Sequence, residues 1–238
     1  MRFQDAARDA RAIVYAGIQA DPLVAKAAEL LADANLGQRL LARAAMNGES
    51  TGADAWRTMF PSLFASDVPA AERARSEAIL EVALDVAGRG EQVRSQYRGA
   101  IVESLTATLL ARRVGGAAVR RERRILFDGR PAEIHPYDVT VERDDGAEAW
   151  DCKWGARGLG PDVLHQLDDA RANAAGEGER LRVGLVVFDA RRSCAVRMAR
   201  QTAPAARTRL VTLETLERLA AAPASAAPPA PASGPPER

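Results

Sequence analysis

Cysteine and histidine are scarce in this 238-residue chain, which has two of each. Cys152 and Cys194 could close one disulfide at most and are too few for a cysteine-ligated cluster or a four-cysteine zinc site, so both read as free thiols. His135 and His165 are likewise too few for most histidine-ligated metal enzymes. No apolar run approaches the ~18 residues that a membrane helix needs, and the segment from Met1 to Ala10 has no apolar core of the signal-peptide kind. The expectation is a cytoplasmic protein without a membrane partner. Neither G-x-S-x-G nor a P-loop is present, which removes two large enzyme classes, and no internal repeat is found.

What is present centres on the stretch from Ile134 to Gly155, which reads as a β-hairpin. Tyr137, Val139 and Val141 alternate with Asp138, Thr140 and Glu142; after the turn, Trp150, Cys152 and Trp154 alternate with Asp151 and Lys153. Successive strand residues point to opposite faces, so each arm has an apolar side and a polar side. The turn Arg143-Asp144-Asp145-Gly146 sets the register. A loop of Asp145-Gly146 puts Asp138 opposite Lys153, whereas one centred on Asp144-Asp145 puts Asp138 opposite Asp151. Both gather the two carboxylates and the lysine on one face. Aspartates that close repel, and one has its pKa raised unless a cation sits between them. Lys153 supplies part of that charge. Oxygen donors without a Cys/His cluster point to Mg²⁺ or Mn²⁺ for the rest.

Residues 1–88 read as all-helical, a packing module or a surface for a protein partner or self-association. Asp21-Pro22 is an N-cap with proline at the first helical position, Gly37 to Met46 is a helix, Asn47 to Gly52 a loop, and Ala70 to Ala87 a helix after Pro61 and Pro69. Glu91 to Val114 is one helix stopped by Gly115-Gly116. In its middle Glu103 lies among Gly99, Ala100, Ala107 and Leu110, a close-packed face that a carboxylate enters only with a partner. Strands are expected at Ala118 to Phe127, Ile134 to Glu142 and Ala147 to Trp154. Pro161 starts a helix to about Ala175, and Leu181 to Phe188 is a strand reached by that crossover and so parallel to the third. Arg209 to Val211 adds a strand, Thr212 caps a helix to about Ala222, and residues 223–238 form a disordered Pro/Ala-rich tail.

Net charge is only +1, but its distribution is uneven. From Arg112 to Arg130 seven arginines face Glu122 and Asp128 alone. A second run holds Arg191, Arg192, Arg197, Arg200, Arg207 and Arg209. Two basic runs beside a metal-site candidate favour a polyanion, with Arg120, Arg121, Arg123 and Arg124 as the nucleic-acid contacts. Gly155, Gly158 and Gly160 lead into a helix start and could hold a phosphate through backbone N–H groups.

The order helix, three strands, helix, strand, with Asp138 on the second strand and Asp151-x-Lys153 on the third, resembles the PD-(D/E)xK nuclease superfamily over about residues 91–188. The resemblance implies a restriction-endonuclease-like core over 89–222, Mg²⁺-dependent hydrolysis of nucleic acid, and DNA as the favoured substrate. By the same resemblance Asp138, Asp151, Glu103 and the backbone carbonyl of Cys152 hold the metal, and Lys153 is the catalytic lysine. Gln166 matches a glutamine of one branch, although Ala170 stands where that branch has tyrosine. The proline sits at Pro136, two places before the aspartate, and the second acid is Asp where Glu is more frequent. His135 is placed to touch substrate, while His165 reads as a packed or surface residue. The alternative from another class is a non-catalytic nucleic-acid-binding or scaffold protein that retains the fold. A surface ion-pair cluster of Asp138, Asp151 and Lys153 is the blandest alternative.

Overall fold

Helix starts fall where the caps put them. In the computed structural model, which describes residues 1–7, 10–48, 52–131, 135–201 and 208–221, the Asp21 side chain accepts from the Leu23 N–H at 2.8 Å with Pro22 in the first turn. Asn35 and Gln38 form a reciprocal capping box on the next helix, which fixes two otherwise orphaned backbone donors. The elements run β1 (Arg2–Asp5), α1 (Ala10–Gln19), α2 (Pro22–Ala32), α3 (Leu36–Ala45), α4 (Ala53–Met59), α5 (Pro61–Phe64), α6 (Ala70–Ala87) and α7 (Glu91–Val114). There follow β2 (Val119–Phe127), β3 (Arg130–Pro131), β4 (Tyr137–Arg143), β5 (Gly146–Lys153), α8 (Pro161–Gly176), β6 (Leu181–Val187), α9 (Arg191–Met198) and β7 (Arg209–Val211). The helix expected after Thr212 is a 3₁₀ helix, Leu213–Leu219. Ile134, Arg207, the loop residues 49–51 and the 223–238 tail lie outside the described residues.

The fold is mixed α/β. One seven-stranded sheet has the order β1-β2-β4-β5-β6-β7, with β3 paired to β2. Pairs from β1 to β5 are antiparallel; β5–β6 and β6–β7 are parallel. α8 makes the crossover between β5 and β6 that the spacing predicts. α2, α3, α6 and α7 share one apolar core with Val139, Val141, Trp150, Cys152 and Phe188 on one sheet face. α8 packs Leu164, Leu167, Ala170 and Ala174 on the other face, with Ala149, Val183 and Leu185. Among the described residues, no helix is long and apolar enough to cross a membrane.

Two expectations need correction. The first 88 residues are not all helical, because β1 adds to the sheet edge with Arg2 opposite Leu126 and Asp5 opposite Arg123. Four residues, R-F-Q-D, carry too little alternation to announce a strand. Tyr137 also does not share a face with Val139 and Val141: it packs in the α8-side core, and they pack in the α7-side core. The cause lies opposite, on β2. Glu122 has φ 53°, in the left-handed region, and the ladder passes from Arg121↔Val139 to Arg123↔Tyr137 without it. On one side of this point Arg121 reaches Ser104 of α7; on the other, Arg123 reaches Glu142, and Ile125 and Phe127 join the α8-side core. Both strands thus exchange faces at Glu122 and Asp138.

Gly184 on β6 pairs with Trp150 on β5, and a Cβ placed there would lie 2.3 Å from the indole ring. The ring donates from Nε1 to Glu148 at 3.0 Å, is buried at 2% exposure, and is covered by the Arg209 guanidinium at 5.4 Å. Gly184→Ala is expected to destabilise the protein by ~1–3 kcal/mol through overpacking, read as a lower midpoint in thermal or urea denaturation.

Candidate active site

The hairpin fixes the centre of the site. Val139 pairs with Trp150 and Arg143 with Gly146, so the loop is Asp144-Asp145 and the register is the one that sets Asp138 across from Asp151. Asp138 Oδ2 accepts from the Cys152 N–H at 2.6 Å, which seats it on the backbone between Asp151 and Lys153. Lys153 Nζ donates to Asp151 Oδ1 at 2.8 Å. The lysine stem runs against Gly158, where a Cβ would meet it at 3.0–3.1 Å, so glycine is what allows that approach.

Glu103 enters from α7, 5% exposed, and has the partners that its burial demands. They come from α1: Tyr15 OH donates to one carboxylate oxygen at 2.5 Å and Gln19 Nε2 to the other at 2.7 Å. Gln19 also reaches Glu122 at 3.2 Å. Glu103, Glu122 and Asp138 each place an oxygen within 4.8 Å of the others, a group that could hold a metal ion. The acids therefore assemble around Asp138 in two sets, Glu103 and Glu122 on one side and Asp151 with Lys153 on the other.

Charge crowding has the consequences expected of it. Burial, then the Asp151 and Glu103 carboxylates, push Asp138 well above the usual carboxylate range. Glu103 is raised by burial, a rise that the Tyr15 and Gln19 hydrogen bonds oppose. Burial alone would lower Lys153, but Asp151 and Asp138 outweigh it and hold the ammonium above its ordinary pKa. A cleft of about 630 Å³ opens onto Asp138, Asp151 and Lys153, rimmed by His135, Asp162, His165 and Gln166.

The remaining expected residues are distributed unevenly. Gln166 lines the cleft and donates to the His135 carbonyl at 3.1 Å, which ties α8 to the strand entering the site. Cys152 sends its buried thiol away, toward Thr106 at 3.4 Å. The β2 arginines do not act as one cationic face: Arg121 turns inward to Ser104, Arg123 is ion-paired with Glu142 and Asp5, and Arg120 is exposed. The three-glycine stretch holds no free phosphate nest, since the Ala156 N–H bonds Asp189 and the Gly158 N–H bonds Gly155.

No protein-family model and no curated protein sequence matches this chain. Among solved structures it is similar to the crystal structure of protein VC1899 from Vibrio cholerae, at 16% identity and a TM-score of 0.45. The match covers 84% of this chain and 55% of that one, so the chain spans little more than half the length of that protein.

Sequence reasoning missed Tyr15, Gln19 and Glu122. Glu122 did carry a signal, as the one acid inside the strand segment R-R-E-R-R. A second overlooked signal is that Lys26 and Lys153 are the chain's lysines, all its other basic side chains apart from the histidines being arginine. Where arginine is the default cation, a lysine at 153 marks a place that needs a compact ammonium with rotatable donors.

Because folding raises the Asp138 pKa, the folded state binds more protons than the unfolded chain between the two values, and stability falls as pH rises through that window. Asparagine keeps the acceptor for the Cys152 N–H and cannot ionise. Asp138→Asn is expected to raise the melting temperature of the metal-free protein at pH 8 by about 2–4 °C per kcal/mol of repulsion relieved. The gain shrinks toward pH 4; a lower melting temperature at pH 8 would refute the repulsion.

Proposed function

We propose that this protein is a metal-dependent nuclease, hydrolysing phosphodiester bonds in nucleic acid, DNA in preference to RNA, on a restriction-endonuclease-like core. The observation that carries the reading is the meeting of Asp138 from β4 with Asp151 and Lys153 from β5 at one solvent-open cleft, with the buried Glu103 of α7 grouped against Asp138. An ion-pair cluster on an ordinary surface has no reason to bury like charges together at a cost in free energy, whereas a cation site does.

The donor set fits a hard divalent ion. All the donors are oxygens, and oxygens of Glu103, Glu122 and Asp138 lie within 4.8 Å of one another, close enough to converge on an ion that prefers oxygen ligands. Asp138 is central, with Glu103, Asp151 and the Cys152 carbonyl as the other proposed ligands and Glu122 an added one. When bound, Mg²⁺ or Mn²⁺ supplies polarisation of the phosphate and a more acidic water.

The chain's own residues supply position and charge. Lys153 stays protonated, which casts it as a hydrogen-bond donor and not as a base: one N–H holds Asp151, and the others are free to orient water or meet charge building on phosphoryl oxygens. Tyr15 and Gln19 hold Glu103 oriented toward Asp138. Gln166 steadies the His135 rim, over which substrate would enter.

Incubating the protein with DNA and RNA in Mg²⁺ or Mn²⁺, with chelator controls, tests the proposal. Wild type is expected to cut. Asp138→Asn or Asp151→Asn is expected to lose cleavage together with Mg²⁺ affinity in calorimetric titration. Lys153→Ala is expected to keep metal binding and lose ~10²–10³ in rate, as when a transition-state contact is removed. Tight binding of nucleic acid with no cutting by wild type would favour the binding or scaffold alternative, and a fully active Lys153→Ala would refute the motif assignment.

A further inference from the structure

The acidic cleft cannot by itself retain a nucleic-acid strand. Glu122, Asp138, Asp151, Asp162 and Asp169 line it against Lys153, so phosphates are repelled from it until a metal is bound. The β2 arginines offer little in compensation, since Arg121 and Arg123 are committed inside the fold. Lys153, however, also borders a second groove, of about 720 Å³, on its other side.

That groove is of opposite character. Arg43, Arg98, Arg157 and Lys153 line it, four cations against Glu91 and Asp189. Its floor is Trp154, stacked on Phe188 with ring centroids 5.0 Å apart, with the Arg43 and Arg98 guanidiniums 5.7 and 5.8 Å from its centroid. These two arginines are braced. Arg43 donates to the Trp154 carbonyl at 2.7 Å and to Asp189 at 2.8 Å, and Arg98 donates to Glu91 at 2.9 Å. A Cβ at Gly155 would lie 3.2 Å from Arg43 Nη2, so the glycine makes room for the guanidinium. Arg157, on the 3₁₀ turn Ala156–Gly158, is exposed and has no hydrogen-bond or ion-pair partner among the described residues.

We infer that this groove seats the phosphodiester backbone of one nucleic-acid strand running from the metal cleft across Lys153, with Arg157 as the exposed phosphate contact and Arg43 and Arg98 as fixed cations behind it. The assignment rests on the nuclease reading for its substrate class but not for its geometry. Guanidiniums already ordered by Asp189, Glu91 and Trp154 lose little side-chain freedom on meeting a phosphate, which favours retention of the strand. The contact is to backbone, so it carries no base preference. The stretch G-A-R-G-L-G is thereby given a role: its glycines pass Arg43 and the Lys153 stem while its arginine faces the groove.

The test measures binding of a fluorescent single-stranded oligonucleotide to the full chain in chelator, in the cleavage-dead Asp138→Asn background, over a series of salt concentrations. Arg157→Ala is expected to weaken binding several-fold and to lower the slope of log affinity against log salt by about one. Arg157→Glu is expected to weaken binding more than tenfold, whereas Arg73→Ala on α6, remote from the groove, leaves both values unchanged. Wild-type affinity and slope in Arg157→Glu would overturn the inference, as would loss of affinity on Arg120→Ala but not on Arg157→Glu. The two readings fail separately. A protein that cuts DNA and binds normally as Arg157→Glu loses the groove and keeps the nuclease; one that never cuts but loses binding as Arg157→Glu does the reverse.

Discussion

Everything in the site depends on the electrostatic crowding around Asp138. Four carboxylates, Glu103, Glu122, Asp138 and Asp151, are drawn together with Lys153 as the one ammonium among them. Isolated in a low-dielectric interior, such a group would scatter or protonate. It stays assembled because every member is mounted on a rigid element packed elsewhere: α7 through its long buried face, β4 and β5 through the sheet, and β2 through pairing on both edges. The apolar cores on the two sides of the sheet thus supply the free energy that the polar centre consumes.

The exchange of faces at Glu122 and Asp138 is the geometric counterpart of that crowding. A regular strand would send Glu122 and Arg121 to opposite sides and keep every second residue aligned. With φ at 53°, Glu122 breaks the period, and its carboxylate joins those of α7 and β4. A left-handed glutamate inside a strand is a strained conformation, and strain of this kind gathers where function requires a side chain to be aimed.

Much of this was legible in the sequence. The Asp21-Pro22 cap, the long α7, the existence of the β4–β5 hairpin and the parallel crossover through α8 follow from local rules that tertiary packing did not override. The hairpin arithmetic narrowed Asp138 to two partners, and the observed Val139↔Trp150 pairing is one of the two registers. What stayed hidden depended on distant contacts. β1 is a strand only because β2 offers an edge, Tyr15 and Gln19 matter only once α1 lies over α7, and the strand reversal at Glu122 leaves no mark in a hydrophobic pattern. The β2 arginines were illegible for the opposite reason: composition shows charge but not commitment, and Arg123 is already ion-paired within the sheet.

The hydrogen bond from Tyr15 to Glu103 joins residues 88 positions apart, and Gln19 reaches Glu122 across 103. Contacts of such sequence separation form late in folding, after the entropy of closing long loops has been met. During synthesis α1 therefore emerges long before the residues that it steadies, and β5, which carries Asp151 and Lys153, comes later still. A nascent chain holds scattered acids and no centre. The four carboxylates meet only once the hairpin has docked on α7, so the centre is a property of the finished fold and of no single segment.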